Sequence, residues 1–412
     1  MKFVVIDQVV LSRPAEGPLA AHLVSFAESL RAQGYCLYSQ KRQVRIAACF
    51  SRWLKHAHVE VRSVCTDHAV RYFRYRARHV QLLPGDAAAL THFIDLLRHQ
   101  GVIPAEKKSV PRLTSAERCA QAYEQYLRET RALAKTSIAN YVPFIRDFLN
   151  DRFGDQRATL SQLCADDVVK FVQRQVPRLH LKRAKLMTTA LRSFLRYARY
   201  RGDVPLDLAA AVPVVANWSL TSIPRAIAAD QVEALLASID QHTATGRRDY
   251  AIVLLLARLG LRSGEVAFLE LDDIDWNTGY LSVRSKSGQR NELPLPTEVG
   301  KAIAAYLRRG RPQSSCRRVF LRDKAPIAGF HGASGVGSLV RHSLLRAGIN
   351  APTKGTHQFR HGLATNMLSQ GASLGEIGEV LGHHNPQTTM IYAKVDINAL
   401  RTLALPWPGG VK

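Results

Sequence analysis

The sequence has few acidic residues for its size, and this shortage sets its overall charge. Its 412 residues include 33 Asp and Glu against 57 Lys and Arg, which gives a formal net charge of +24 and an isoelectric point of about 10.2. Such a surplus favours a polyanionic partner, and nucleic acid is the usual one. A basic protein without such a partner is the alternative. Because the basic residues are spread along the chain, we expect several DNA-facing surfaces rather than one disordered arm.

The sequence also lacks signals for secretion, for membrane insertion and for cross-linking. Residues 1–11 contain no basic region followed by the long apolar core of a signal peptide. The longest apolar run, residues 251–261, contains Arg258 and is too short to span a bilayer, so it predicts a buried helix. The cysteines are scattered without a C-x-x-C pair: Cys36, Cys49, Cys65, Cys119, Cys164 and Cys316. This pattern indicates neither a disulfide framework nor a zinc site, so we expect a reduced, cytoplasmic protein with no membrane partner.

Motifs for nucleotide and metal binding are missing as well. The glycine-rich residues 329–337 do not end in Gly-Lys-Ser/Thr, so they predict a flexible segment rather than a phosphate-binding loop. The histidines near the C-terminus are accompanied neither by His-Glu-x-x-His nor by a carboxylate cluster. We therefore expect no nucleotide, no metal ion and no other cofactor.

The first half of the chain contains an internal repeat. Residues 63–73 (SVCTDHAVRYF) align with residues 162–172 (QLCADDVVKFV), cysteine on cysteine, and residues 90–104 align with residues 191–205. Two copies of one helical module explain these matches, and chance similarity between amphipathic helices is the alternative. We place the two modules at residues 1–106 and 107–212. The first copy is expected to bind either DNA or protein.

Each module is expected to contain four helices. Apolar residues at helical spacing predict those of the second module at residues 115–133, 135–152, 164–175 and 182–201. Asp166 is placed to cap the third of them. The fourth carries a dense set of basic residues: Lys182, Arg183, Lys185, Arg192, Arg196 and Arg199. We expect these side chains to contact DNA phosphates, and a solvated helix face is the alternative.

The remaining chain predicts a linker and a third domain. Residues 213–226 contain Pro213 and Pro224 and show no helical or strand period, so they predict a linker before a domain at residues 227–412. Helices of that domain are predicted at residues 229–239, 249–259, 263–268, 302–309, 338–347 and 374–381. Between them, residues 274–296 predict a small antiparallel sheet with strands at 280–284 and 292–295. The predicted fold is mainly α, with this small sheet in the C-terminal domain and two tandem helical modules before it.

A stretch near the C-terminus holds residue types suited to attack on a phosphodiester. The phenol of Tyr392 can act as a covalent nucleophile, although its usual pKa of about 10 means that it needs help to lose its proton. The guanidinium of Arg360 can hold two phosphate oxygens, and His357 and His383 can hydrogen-bond the phosphate or move protons. His357 and Arg360 lie three residues apart at a predicted helix start, so both face one side. His361 is expected to point elsewhere and to serve the structure.

This stretch resembles the catalytic C-terminus of the tyrosine recombinases, the phage integrase family. The pattern of that family is Arg, then Lys, then His-x-x-Arg, then His or Trp, then the nucleophilic Tyr. The chain has the corresponding residues in that order: Arg262, Lys286, His357, Arg360, His383 and Tyr392. Six positions in order make a specific match, and they span the chain from Arg262 to Tyr392.

Several local features bear on that match. Arg262 precedes a predicted helix whose Glu265 is placed to support it. Lys286 is predicted at the tip of the hairpin, where Arg284 and Arg290 are rival basic groups. The histidine pair starting at His383 follows Leu-Gly, and this context favours the first histidine of the pair.

The resemblance implies a mechanism and an assembly. Tyr392 would attack the scissile phosphate and form a 3′-phosphotyrosine, while Arg262 and Arg360 stabilise the charge of the transition state. Lys286 would protonate the leaving 5′ oxygen, His357 would assist proton transfer, and His383 would hydrogen-bond the phosphate. Because the bond energy is kept in the phosphotyrosine, neither ATP nor metal would be required. The family also implies double-stranded DNA as partner and a homotetramer with a dimer on each site, with or without partner recombinases.

Other interpretations share these residues. A topoisomerase-like or hairpin telomere-forming enzyme would cut DNA in the same way without exchanging partners. A DNA-binding accessory protein would keep the fold without cutting. Within the recombinases, the additional first module favours a mobile element, meaning integration, excision or transposition, over resolution of chromosome or plasmid dimers.

Overall fold

The computed structural model describes residues 4–6, 9–11, 14–105, 113–154, 156–216, 223–284, 290–383 and 385–403. The described chain is mainly helical with a small three-stranded antiparallel sheet in its C-terminal part, which confirms the predicted fold class. Packing divides it into two compact units, one of Lys107–Thr221 and one of Met1–Glu106 together with Ser222–Lys412. In the part of the chain that is described, no helix is both long and apolar enough to cross a membrane.

The N-terminal residues fold into a hairpin and a helical module. The elements are β1 (Val4–Ile6), β2 (Val9–Leu11), α1 (Leu23–Ala32), α2 (Leu37–His56), α3 (Thr66–Ala77) and α4 (Asp86–His99). Their core contains Phe26, Phe50 and Phe93, all of them buried. This module contacts the C-terminal part of its own unit, because the Ile327 amide donates to the Gln33 carbonyl at 2.8 Å.

The second unit repeats the helix order of the first module. Its helices are α5 (Ser115–Glu129), α6 (Lys135–Phe153), α7 (Ala165–Gln175) and α8 (Leu181–Tyr200). In both modules a short 3₁₀ turn precedes the third helix, and a cysteine stands directly before that helix, Cys65 in one and Cys164 in the other. The repeat hypothesis predicts this shared arrangement, because cysteine aligns with cysteine in the sequence.

The C-terminal part surrounds a central apolar helix with shorter elements. They are α9 (Ala229–Ala237), α10 (Ala244–Arg258), α11 (Ser263–Phe268), β3 (Ile274–Asp275), β4 (Tyr280–Arg284), β5 (Arg290–Pro294), α12 (Thr297–Arg309), α13 (Ala333–Arg346), α14 (His357–Ser369), α15 (Leu374–Val380) and α16 (Ile397–Thr402). The strands pair in the order β3-β4-β5, all antiparallel, with Arg284 opposite Arg290 at the end of the β4-β5 hairpin next to its turn. A second, smaller core beside α14 contains Ala364, Ile377, Leu381 and Tyr392.

Three helices begin earlier than the apolar pattern predicts. The α10 helix begins at Ala244 rather than at residue 249, because the Thr243 hydroxyl caps it by accepting from the Gly246 amide at 3.0 Å. The α12 helix begins at Thr297 rather than at residue 302, directly after a proline. Residues 329–337 were expected to be flexible, and this was wrong for their second half. The α13 helix begins at Ala333, and its Val336 side chain is fully buried.

Two smaller predictions in the second module were also wrong. The carboxylate that accepts from the Cys164 amide at the start of α7 is that of Asp167, at 3.0 Å, and not that of Asp166. The α5 helix ends at Glu129 rather than at residue 133, and the chain then turns through Ala132, which has a positive φ of 46°. A non-glycine residue in that conformation interrupts a helix.

Candidate active site

Arg360 is the buried centre of the site. It lies in the first turn of α14 and is 5% exposed. Its Nη1 donates to the Gly260 carbonyl at 2.8 Å, and its Nη2 donates to the Leu381 carbonyl. Gly260 follows the end of α10 after one intervening residue, Leu259, and Leu381 follows α15 directly. The guanidinium is therefore held in place by the ends of two other helices.

Arg262 stands at the start of α11, as the sequence predicts. It is the residue before the helix, and its side chain keeps about a third of its surface exposed. Glu265 supports it twice, accepting from the Arg262 amide at 2.7 Å and from its Nη1 at 2.7 Å. The Glu265 side chain is only 8% exposed, so the ion pair fixes the direction of the guanidinium. Ser263, the next residue, contacts Thr356 through their hydroxyls at 2.5 Å, which ties α11 to the start of α14.

The two guanidiniums form a positively charged site that no described carboxylate fully neutralises. Burial, and then the charge of Arg262, lower the pKa of Arg360 to about 10. Arg360 therefore remains protonated at neutral pH, and of the described residues it bonds only carbonyl oxygens through its side chain. A buried guanidinium next to a second one is stabilised when an anion arrives. The geometry is suited to binding a phosphate diester through its two non-bridging oxygens.

The two histidines predicted for the site are neutral in this environment. Burial, followed by the charges of Arg360 and Arg262, lowers the pKa of His357, although part of its side chain remains exposed. The same causes lower the pKa of His383 to about 4. The His383 Nδ1 lies 2.8 Å from the Thr389 hydroxyl, which orients the ring. Neutral rings can either donate or accept hydrogen bonds, depending on the tautomer.

Tyr392 is the buried phenol of the site. It lies in a 3₁₀ helix, Met390–Val395, and is 1% exposed within the smaller core. Burial raises the pKa of Tyr392, and the charge of Arg360 opposes this increase. The hydroxyl lies 3.0 Å from His361 Nδ1. The expectation that His361 points away from the site was therefore wrong.

The remaining predicted catalytic residue, Lys286, lies outside the described residues, as does the rest of the hairpin turn at 285–289. Its rival Arg284 approaches Glu270 at 3.5 Å. The described residues contain no group of three or more His, Cys, Asp or Glu side chains that could hold a metal ion.

The predicted DNA-binding residues of α8 differ in their exposure to solvent and in their ion pairs. Lys182, Arg183, Lys185, Arg196 and Arg199 are exposed, and Arg192 is half-buried. Arg192 donates to the Val212 carbonyl at 2.9 Å, and Arg199 pairs with Asp207 at 3.2 Å. Lys182, Lys185 and Arg196 form no ion pair with any described residue, so their charges are available to a ligand.

Gly260 offers a test of how tightly the site is packed. Its φ is +61°, and an added Cβ would lie 2.9 Å from Leu381 Cδ2 and 3.0 Å from Leu363 Cδ2. Gly279 has a similar φ of +72° and open space around it. We expect Gly279→Ala to cost roughly 1–2 kcal/mol of unfolding free energy, because a side chain disfavours this backbone region. Gly260→Ala should cost about 1–3 kcal/mol more, because it also overpacks the site. Urea unfolding of both variants measures the difference, and equal losses would show that α14 and α15 are loosely packed here.

Comparisons with known proteins identify relatives of the whole chain. The signature of the phage integrase family matches residues 225–398, and that of the phage integrase N-terminal SAM-like domain matches residues 120–202. A protein of Sinorhizobium fredii named as an integrase/recombinase, y4rA, is 59% identical over 99% of this chain and 99% of its own length. The tyrosine recombinase XerD of Mycobacterium tuberculosis is 30% identical over 70% of this chain and 96% of its own.

Solved structures share the fold at low sequence identity. The XerH site-specific recombinase, bound to palindromic difH substrate in a post-cleavage complex, has a TM-score of 0.56 at 18% identity, over 69% of this chain and 83% of its own. The integrase of the transposon Tn1549, in complex with a circular intermediate DNA, has a TM-score of 0.52 at 17% identity, over 69% of this chain and 99% of its own. At these identities the likeness establishes the fold.

Proposed function

Because the chain belongs to the phage integrase family, the family of the tyrosine recombinases, we propose that it cuts and rejoins DNA strands through a covalent bond between Tyr392 and a 3′ phosphate. The observation that carries this proposal is the convergence of two guanidiniums, two neutral histidines and a buried phenol from four separate segments of one unit. Residues that lie up to about 130 positions apart in the chain (Arg262 to Tyr392) meet around Arg360.

Each side chain has a distinct role in the proposed reaction. Arg262 and Arg360 bind the non-bridging oxygens of the scissile phosphate and stabilise the charge that develops there. Tyr392 attacks the phosphorus, and the 5′ oxygen leaves and takes a proton, for which Lys286 is the proposed donor. His357 assists proton transfer, and His383 donates a hydrogen bond to the phosphate. The 5′ hydroxyl of a partner strand then reverses the steps, so no ATP and no metal ion enter the reaction.

The direct test is a cleavage assay on nicked duplexes, which lose a short fragment on cleavage and so trap the covalent intermediate. Duplexes covering the DNA that flanks the gene are incubated with the protein in the presence of a chelator. We expect a protein–DNA adduct that survives denaturing electrophoresis. Tight binding without an adduct would favour the accessory protein that keeps the fold without cutting.

We propose integration, excision or transposition of a mobile element as the biological role, carried out in the cytoplasm. The relative that covers 99% of the chain is named as an integrase/recombinase, and the protein has a first module that neither family signature includes. Dimer resolution is the alternative, which the likeness to XerD recombinases supports.

We further propose a homotetramer with a dimer on each site. A lambda integrase with the same fold, at 16% identity and a TM-score of 0.52, has been solved as a tetramer on a Holliday junction, covering 74% of this chain and 86% of its own.

We also propose the domain division 1–106, 107–212, linker 213–226 and 227–412, with α8 and the first module both contacting DNA. In the first module Arg71 and Arg74 on α3 and Arg78 directly after it are exposed on one side, and none of them forms an ion pair with a described residue. Unpaired arginines on one helix side are suited to the DNA backbone, and this favours DNA over protein as the partner of the first module.

Salt-dependent binding distinguishes these surfaces from ordinary solvated faces. If Lys182 and Lys185 each contact a phosphate, their double change to Ala should reduce the slope of log affinity against log salt by about 1.8, since each contact contributes about 0.9. Arg71→Ala with Arg74→Ala should reduce it similarly on DNA long enough to reach the first module. The matched control is Lys170→Ala, whose charge is already paired with Asp166 at 2.6 Å. If a variant keeps the wild-type slope, the surface that carries its substitutions does not contact DNA phosphates as proposed.

A further inference from the structure

Among the described residues, His361 is the side chain that hydrogen-bonds the hydroxyl of Tyr392, and the family pattern gives it no role. We propose that His361 accepts the proton of Tyr392 as the tyrosine attacks the phosphate, and that it returns this proton when the strand is rejoined. The inference rests on the proposed cleavage of DNA by Tyr392, and it adds a catalytic residue to that reaction.

The geometry places the two reacting atoms within reach of each other. The Tyr392 hydroxyl lies 3.0 Å from His361 Nδ1, inside the range over which a general base takes a proton. The rings meet edge to face, with centroids 5.7 Å apart and planes at 63°. No other described residue hydrogen-bonds this hydroxyl, so the phenol has one proton acceptor before DNA arrives.

The other candidate groups are engaged elsewhere. The Arg360 guanidinium donates to two backbone carbonyls and cannot accept a proton. The His383 ring uses Nδ1 on the Thr389 hydroxyl at 2.8 Å. His357 lies beside His361, with ring centroids 6.3 Å apart, and forms no hydrogen bond with Tyr392. Among the described residues this leaves His361 as the base in contact with the nucleophile.

The electrostatic surroundings suit a proton acceptor. The groups that act on His361 are His357 and Arg360 on its own helix, and His361 in turn acts on His383 beyond α15. Burial first, and then the charges of His357 and Arg360, lower the pKa of His361. The ring is therefore neutral at pH 7 and free to accept. A bound phosphate adds negative charge beside it, which raises its affinity for a proton at the moment of attack.

The proposed step is balanced within the site. The O–H bond of Tyr392 breaks, its proton moves to His361 Nδ1, and the phenolic oxygen forms a bond to phosphorus. The bond between phosphorus and the 5′ oxygen breaks, and that oxygen takes a separate proton from the proposed acid Lys286. Rejoining reverses each transfer, so His361 ends neutral and Tyr392 ends protonated.

The His361→Asn variant distinguishes two possible roles of His361, a hydrogen bond to the Tyr392 hydroxyl and uptake of its proton. The asparagine side-chain oxygen occupies a place close to that of Nδ1 and can accept the hydrogen bond, but it cannot take up the proton at these pH values. We expect His361→Asn to bind nicked DNA like the wild type and to cleave it about 100-fold more slowly at pH 7, the lower end of the usual contribution of a general base. Single-turnover adduct formation is measured between pH 5.5 and 9.

The cleavage rate should depend on pH differently in the wild type and in His361→Asn. The wild-type rate should be level at and above neutral pH and should fall at acidic pH, where His361 becomes protonated and can no longer accept. The His361→Asn rate should instead rise steadily up to pH 9, because the phenol must then lose its proton to the solvent. Added imidazole should restore part of the rate of His361→Ala. The control is His342→Asn, because the exposed ring of His342 hydrogen-bonds Ser338 on its own helix.

The outcomes separate this inference from the reaction on which it rests. If His361→Asn cleaves at the wild-type rate, and this rate does not rise with pH, the inference is overturned. A hydrogen bond to Tyr392 would then suffice for cleavage without proton transfer to residue 361. A slow His361→Asn variant whose profile keeps the wild-type shape, with no rescue of His361→Ala by imidazole, would also overturn it, because it would indicate a positioning role alone. An absence of adduct with wild-type protein would contradict the proposed function instead.

Discussion

Tyr392→Phe should abolish the covalent protein–DNA adduct and leave DNA binding unchanged. The phenolic oxygen is the atom that becomes bonded to phosphorus, so no other group can replace it. The ring remains in the core formed with Ala364, Ile377 and Leu381, and among the described residues the hydrogen bond removed is that with His361. We therefore expect a stability close to that of the wild type. The assay compares adduct on denaturing gels with binding of the same duplex on native gels.

Tyr250→Phe is the matched control for this experiment. Tyr250 is half-buried on α10 in the same unit and packs against the larger core without contacting the site. This variant should form adduct at the wild-type rate. Adduct formation by Tyr392→Phe would contradict the assignment of the nucleophile, because a different side chain would then carry the DNA.

Arg360→Lys should have the second largest effect, although it keeps the charge. A lysine has a single ammonium in place of the forked guanidinium, and it cannot hold the Gly260 and Leu381 carbonyls and the phosphate at once. We expect single-turnover cleavage to fall by about 100- to 1,000-fold, the loss seen when a donor to a developing oxyanion is removed. The buried carbonyls that lose a donor should lower the unfolding free energy by about 1–3 kcal/mol each.

The comparison that isolates catalysis from stability is Arg262→Lys. Arg262 is bound by the Glu265 carboxylate rather than by backbone carbonyls of other segments. Its change to Lys should slow cleavage with a smaller loss of stability. If Arg360→Lys cleaves at the wild-type rate while it remains folded, Arg360 serves packing alone, and the proposed phosphate site is wrong.

The sequence predicts those parts of the site that depend on local chemistry. Arg262 precedes α11, and the reach of Glu265 back to its amide follows from a spacing of three residues. The strand Tyr280–Arg284 follows from simple alternation of apolar and polar residues. The helix that begins at His357 follows from the motif spacing, and it brings His357 and Arg360 to one face.

The parts that were missed depend on contacts between distant segments. His361 meets Tyr392 across 31 residues of sequence, and no local pattern encodes this distance. Its spacing of four from His357 was an available signal, because residues four apart share a helix face. In α13 the glycines of residues 329–337 suggested flexibility, but burial of Val336 and Val340 in the core overrides their low helix propensity.

The most direct test of the account is to identify the residue that carries the DNA. The adduct formed by wild-type protein in a chelator is digested with nuclease and trypsin, and the modified peptide is sequenced by mass spectrometry. Trypsin cuts after Arg360 and Lys394, so residues 361–394 form one peptide whose single tyrosine is Tyr392. We expect a nucleotide linked to this tyrosine through its 3′ phosphate. A nucleotide on any other residue, or one linked through a 5′ phosphate, would contradict it.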